Sequence, residues 1–304
     1  MRGRPTARLD PRTADAFMTT DPARDLHALL SWWRDAGVVS AEAEAILVAP
    51  SPNTAPNAVS GGSARPRGRG GQAPAQASPG APAPIRPVAK APAKAAEPRA
   101  RTIAEAASTL EALQEAIHSY DDCSLKQTAQ STVVFDGVKT AKVLVIGEAP
   151  SREEDAAGKP FAGPAGQLMD RMFAEIGLSR RSNLLMTNTL YWRPPGNRNP
   201  DAAELAHCLP FVERTIALLQ PRAVLLVGGM AANALLPVRD GILKLRGRTF
   251  TMENIGLTKP VNAMVMLHPA YLLRRPLDKR LAWADLLAAE AWLDGLGVQR
   301  ERQP

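Results

Sequence analysis

The chain has 304 residues, 45% of them hydrophobic, enough for a sizeable core in one or two domains, while its 27 prolines argue against regular structure throughout. A net charge of +7 and a pI near 9.7 suit a polyanionic partner such as nucleic acid, where each lysine or arginine on a phosphate releases a counterion; solubility alone would account for the charge equally well. Cys123 and Cys208 stand far apart with no Cys-x-x-Cys, which excludes a disulfide framework and a zinc motif, and no stretch approaches the roughly 18 apolar residues of a membrane span.

Residues 1–22 are basic but lack the apolar core of a secretory signal, and Asp10 and Asp15 argue against a transit peptide, so they read as a frayed tail of a soluble, cytoplasmic protein. In the segment 23–49, apolar residues at helical spacing over 26–36 predict a short helix, capped by Asp21 or Asp25 and stopped by Gly37. A helix that small must pack on the main domain or on a partner. From 50 to 101 the chain is rich in Pro, Ala, Gly and Ser, with scattered Arg65, Arg67, Arg69, Arg86, Lys90, Lys94, Arg99 and Arg101 and almost no acid. Too few large apolar side chains are present to offset ordering entropy, which predicts a disordered basic linker, either a tether to DNA or a solvated spacer.

Order is expected over 102–297, with 298–304 a second tail. Apolar residues from Ile103 through Leu110 and Leu113 to Ile117 predict one amphipathic helix, and 131–135 a short edge strand turned by Asp136 and Gly137. Four short apolar runs follow, at 143–146, 183–187, 223–227 and 263–267, with helical patterns over 167–176, 202–219, 231–236 and 281–293. This alternation predicts a single three-layer α/β/α domain with a central, mostly parallel four-stranded sheet, preceded by a disordered N-terminal region.

The chemistry-bearing residues fall just after those strands: Gly147 and Glu148, Asn188, Gly228 and Gly229, and His268. Open α/β sheets bind ligands at that edge. Asn188 carries one acceptor and two donors, matching an adjacent carbonyl and N–H such as the edge of uracil. Phe161, in the loop GKPFAG at 158–163, offers a stacking face. His268 can donate to an oxygen that turns negative as a bond breaks, and Glu148 can hold a water or stabilise a sugar cation. Each has an ordinary structural alternative: a helix cap for Asn188, a surface carboxylate for Glu148, packing for Phe161, a turn for His268. Their joint occurrence at the strand ends weighs against those alternatives.

The motifs GEAP at 147–150, GKPFAG at 158–163, Thr187-Asn188, RPPGNRNP at 193–200 and HPAYLLR at 268–274 together resemble the uracil-DNA glycosylase superfamily, nearest its bacterial and archaeal family 4. The resemblance covers about 102–293. It implies Glu148 and His268 as catalytic residues, the first serving the attacking water and the second the departing uracil anion at O2. It implies Phe161, Asn188 and Glu154 as uracil-binding, with Glu154 blocking the thymine methyl. Arg193, Arg198, Tyr271, Leu272, Leu273, Arg274 and Arg275 are implied as DNA-binding, with Leu272 or Leu273 as the wedge that enters the duplex when the base flips out.

Two departures matter. Ser151 stands where the family usually has glycine, adding a side chain beside the water site. The family binds a [4Fe-4S] cluster through four cysteines; only Cys123 and Cys208 remain, with Tyr120 and Trp192 at the other two places. Two thiolates fall short of that ligation, so the cluster is expected to be absent and aromatic packing to replace it. The expected activity is monofunctional release of uracil from DNA by a monomeric base excision repair enzyme without cofactor. A non-catalytic module binding uracil or abasic DNA, and a glycosylase for another deaminated base, remain as alternatives.

Overall fold

The computed structural model describes residues 7–9, 96–253 and 259–300. The helix expected at 26–36 and most of the expected linker lie outside the described residues. In chain order the elements are β1 (Ala7–Leu9), α1 (Ala96–Ala106), α2 (Leu110–Ser119), β2 (Asp136–Gly137), β3 (Val143–Gly147), α3 (Arg152–Ala157), α4 (Gly163–Glu175) and β4 (Leu184–Asn188). They continue with α5 (Ala202–Leu219), β5 (Ala223–Val227), α6 (Gly229–Leu235), α7 (Ile242–Leu245), β6 (Thr249–Met252), β7 (Val261–Met266), α8 (Pro269–Arg274) and α9 (Lys279–Gly295).

The four expected parallel strands sit side by side as β7-β5-β3-β4, each buried at almost every position. Their side chains alternate between two cores. Leu144, Ile146, Val224 and Leu226 pack with α1, α2 and α5 on one face, whereas Val143, Val145, Leu225 and Met264 pack with α4 and α9 on the other. A strand covered on both faces reads as a continuous apolar run, which is why these four were legible.

Among the described residues the sheet has seven strands rather than four. Antiparallel strands extend both edges, in the order β1-β6-β7-β5-β3-β4-β2. The added strands carry no such run: β2 is two residues long and β6, between β1 and β7, reads TFTM. The strand expected at 131–135 is instead irregular, held by Val133 N donating to Tyr191 O and Thr187 Oγ1 to Val134 O, and pairing begins only at Asp136. Ala7–Leu9, expected in the tail, pairs with β6.

The single helix expected from Ile103 to Ile117 is two. α1 begins at Ala96, inside the expected linker, and Thr109 starts α2 as its N-cap, its hydroxyl accepting from Ala112 N. A capping side chain at that point makes a new start cheaper than an unbroken helix. The far tail is partly built in: Val298 is buried, and Arg300 donates to Ile176 O and pairs with Asp294.

Candidate active site at the carboxyl edge of the sheet

β3 and β4 end in register, Gly147 opposite Asn188, and the chain leaves both into the same space. A Cβ on Gly147 would lie 2.3 Å from Asn188 Oδ1 and 2.6 Å from Phe161 Cζ, so only glycine lets amide and ring meet there. Asn188 is 1% exposed and packs against Glu154, which lines the open cavity. Its Nδ2 donates to Glu154 Oε1 at 3.3 Å. Because an ionised carboxylate only accepts, this contact fixes which end of the amide faces inward.

Glu154 is buried for a reason visible in the local sequence. Ser151 caps α3 and forms a reciprocal capping box, Ser151 N donating to Glu154 Oε2 at 2.7 Å and Glu154 N to Ser151 Oγ at 3.3 Å. Phe161 N donates to the other oxygen, Oε1. One carboxylate thus joins the helix start, the aromatic loop and the Asn188 amide. Ser151 lines the cavity as expected, but its hydroxyl is taken up by the cap.

Phe161 adopts a left-handed backbone, φ 52°, rare for an aromatic. Its neighbours hold it there. Besides Glu154, Arg180 donates to Pro160 O and Phe161 O while pairing with Asp136 and Asp170. Sequence reasoning missed Arg180, since nothing local marks an arginine whose partners come from three other segments. The Phe161 ring lies 6.1 Å from that of His268, with the planes 26° apart.

His268 follows β7 and caps α8, its Nδ1 accepting from Ala270 N at 3.1 Å. That bond leaves the neutral ring's proton on Nε2. Burial, and then the charge of Arg274, lower its pKa to about 4, so the ring is neutral at pH 7. Glu148, directly after β3, lines the same cavity. Its Oε1 accepts from Met230 N at 3.0 Å, at the start of α6, where Gly228 at φ 103° lets the carboxylate approach; a Cβ there would lie 2.3 Å from that oxygen. Burial raises the Glu148 pKa, against the opposing effects of the Met230 amide and Arg274.

These groups surround a cavity of about 340 Å³, also lined by Asn197, Arg198, Tyr271 and Arg274. Around the mouth the expected DNA-binding residues divide. Leu272 is fully buried in the core and cannot be a wedge, because α8 turns that face inward; Leu273 is 43% exposed. Arg274 is exposed, Tyr271 donates to Asp278, and Arg275 lies over the Tyr271 ring and pairs with Asp278. Arg198 is forked onto Glu204 at 2.8 and 2.5 Å, so its guanidinium is already spent on a carboxylate. Arg193 donates from Nε to Asn197 Oδ1 at 2.6 Å.

Fold and cavity together define a class, an α/β/α protein with a cavity where its parallel strands end. Residues 135–287 match the uracil DNA glycosylase superfamily. A type-4 uracil-DNA glycosylase of Pyrobaculum aerophilum is 33% identical over 171 residues, covering 55% of this chain and 86% of the relative. Another, of Archaeoglobus fulgidus, is 34% identical over 172 residues, covering 55% and 85%, and one of Thermotoga maritima is 29% identical over 187, covering 60% and 94%. The chain belongs to the uracil-DNA glycosylase superfamily, and its resemblance within it is to the type-4 proteins.

Tyr120, Cys123, Trp192 and Cys208, the four places where the resemblance implies cluster ligands, lie in one core. Tyr120 and Trp192 have ring centroids 6.3 Å apart and planes 25° apart, and Phe211 meets Tyr120 edge-on at 5.2 Å. Tyr120 Oη shares a 2.7 Å hydrogen bond with His207 Nδ1, and Trp192 Nε1 donates to Thr132 Oγ1 at 3.0 Å. The two thiols are fully buried; burial pushes Cys208 up, and the neighbouring Cys208 thiol draws Cys123 down. This donor set does not fit a four-thiolate cluster. Among the described residues no helix is long and apolar enough to cross a membrane, and no group of three or more His, Cys, Asp or Glu is placed to hold a metal ion.

Proposed function

We propose that this protein is a monofunctional, monomeric uracil-DNA glycosylase that opens base excision repair by hydrolysing the N-glycosidic bond of deoxyuridine. The observation that carries the reading is the Asn188 amide, its orientation set by Glu154, in one site with the Phe161 face, a neutral His268 and a buried Glu148. A base in a duplex must leave the stack to reach such a site. Leu273 is the exposed apolar side chain suited to fill the gap, with Arg274 beside it for phosphate.

The electron pair of the N1–C1′ bond leaves with uracil, whose O2 takes a hydrogen bond from His268 Nε2–H. A neutral donor already held in place stabilises that anion without prior proton transfer. Water then adds to C1′ of the oxocarbenium-like sugar and passes its proton to Glu148, a carboxylate made more basic by burial. Among the described residues no lysine lines the cavity for a lyase step.

In the same reading the protein works without a [4Fe-4S] cluster, the Tyr120 and Trp192 packing standing in for it; an iron-sulfur absorption band in anaerobically purified protein would refute this. The function is tested by single-turnover assay on single-stranded and duplex oligonucleotides carrying one uracil, followed by alkali. Strand breaks that depend on uracil are expected. Uracil-dependent retardation without breaks would instead identify a binding module, and preferential cleavage at another deaminated base a different glycosylase.

A further inference from the structure

Pro276 disfavours a helical residue before it, and α8 accordingly ends at Arg274, with Arg275 already at φ −133°. The residues from Leu273 to Leu277 are all exposed, whereas Leu272 before them and Lys279 after them are buried. Two of the three exposed large apolar side chains among the described residues, Leu273 and Leu277, fall in this stretch, and Arg274 within it lines the cavity.

A turn so exposed is held by its own polar groups. Tyr271 Oη donates to Asp278 Oδ2, and the same oxygen lies 3.3 Å from Arg275 Nε. The Arg275 guanidinium also sits 5.9 Å from the centre of the Tyr271 ring. Arg275 N donates to Tyr271 O and Asp278 N to Arg275 O, each at 3.0 Å. One carboxylate therefore ties the residue before the turn, the middle of the turn and its end.

That carboxylate is placed against its charge. Beside Arg274 and Arg275, on a face that meets phosphates, an acid repels DNA. What it supplies is order: an apolar side chain enters a base stack at less cost when it is already fixed.

We propose that Asp278 is a positioning residue for duplex DNA, holding Tyr271 and Arg275 so that Leu273 and Leu277 are both presented, fixed, to the base stack. This rests on the glycosylase reading above and makes duplex DNA the substrate for which the turn is built. Arg275 is then an internal strut, and Arg274 is left for phosphate.

The test uses the full chain, uracil in single-stranded and duplex oligonucleotides, and a duplex with 2-aminopurine opposite an abasic site, whose fluorescence rises when the stack is entered. Asp278→Ala, Tyr271→Phe and Leu277→Ala should each lower duplex excision about tenfold relative to single-strand excision, and slow the fluorescence rise similarly. Asp278→Asn keeps an acceptor for Tyr271 Oη and should restore most of the loss. The double variant of Asp278→Ala with Tyr271→Phe should be no worse than Asp278→Ala alone. Leu277 is 58% exposed, so its variant should melt as wild type and decides the matter whatever the others do to stability. Equal losses on both substrates, wild-type behaviour of Leu277→Ala, multiplying losses in the double variant, or faster duplex excision in Asp278→Ala, as charge repulsion alone would give, would overturn the proposal. A wild-type protein that removes no uracil would end the glycosylase reading alone, since the 2-aminopurine comparison still decides the turn.

Discussion

Asn188 Nδ2 and Glu154 Oε1, 34 residues apart in the chain, meet at 3.3 Å beneath the Phe161 ring and set the direction in which the amide can read a base. Replacing Asn188 by Ala should narrow discrimination for uracil by 10-fold or more, since a bidentate amide contact to a base contributes about 1–3 kcal/mol. Glu154→Gln places an NH2 group among three N–H donors. It should lower uracil excision and selectivity together, measured by single-turnover assay against competing lesion oligonucleotides.

Glu148 is held as a buried carboxylate whose pKa is raised, which costs the fold stability at neutral pH. Glu148→Gln keeps the acceptor for Met230 N and removes the charge. It should melt higher than wild type, by on the order of 1 kcal/mol, while losing most of its activity. In the wild type, activity should fall as pH drops through that raised pKa.

His268 titrates near 6.5 when unfolded and near 4 when folded. Between these values the unfolded chain binds the proton and the native one does not, so stability is full above pH 6.5 and is lost toward pH 4, by up to about 3 kcal/mol. His268→Asn can keep the cap on α8. It should flatten this limb in melts taken across pH 4–7 and slow excision far more than DNA binding; equal losses in both would count against the assigned role.

Leu272 and Leu273 should separate cleanly. Leu272→Ala leaves a cavity in the core and should destabilise by about 2–5 kcal/mol. Leu273→Ala should leave melting unchanged, reduce excision from duplex DNA, and spare single-stranded substrate, which needs no wedge.

Trp192 fills the core beside Tyr120 and Tyr191. Trp192→Ala should cost about 3–5 kcal/mol whether or not iron and sulfide are supplied during expression, as read from denaturant midpoints. Rescue of its stability by iron would point to a cluster site after all.

The sequence alone determined the parallel core and the residues at its carboxyl edge, because strands buried on both faces leave unbroken apolar runs and their ends locate Glu148, Asn188 and His268. Against the four thiolates that the resemblance implies, its two cysteines could be counted without coordinates. The added antiparallel strands were not legible: elements of two to four residues leave no periodicity to read. Only the tertiary structure chose Leu273 over Leu272, since adjacent helical residues point about 100° apart and the packing of α8 decides which is covered. Only it could show that Ser151 caps a helix, that Arg198 is committed to Glu204, and that Arg180 and Glu154 hold the loop around Phe161. Such partners are set by which segments the fold brings together, and a side chain's use depends on what lies within hydrogen-bond reach of it.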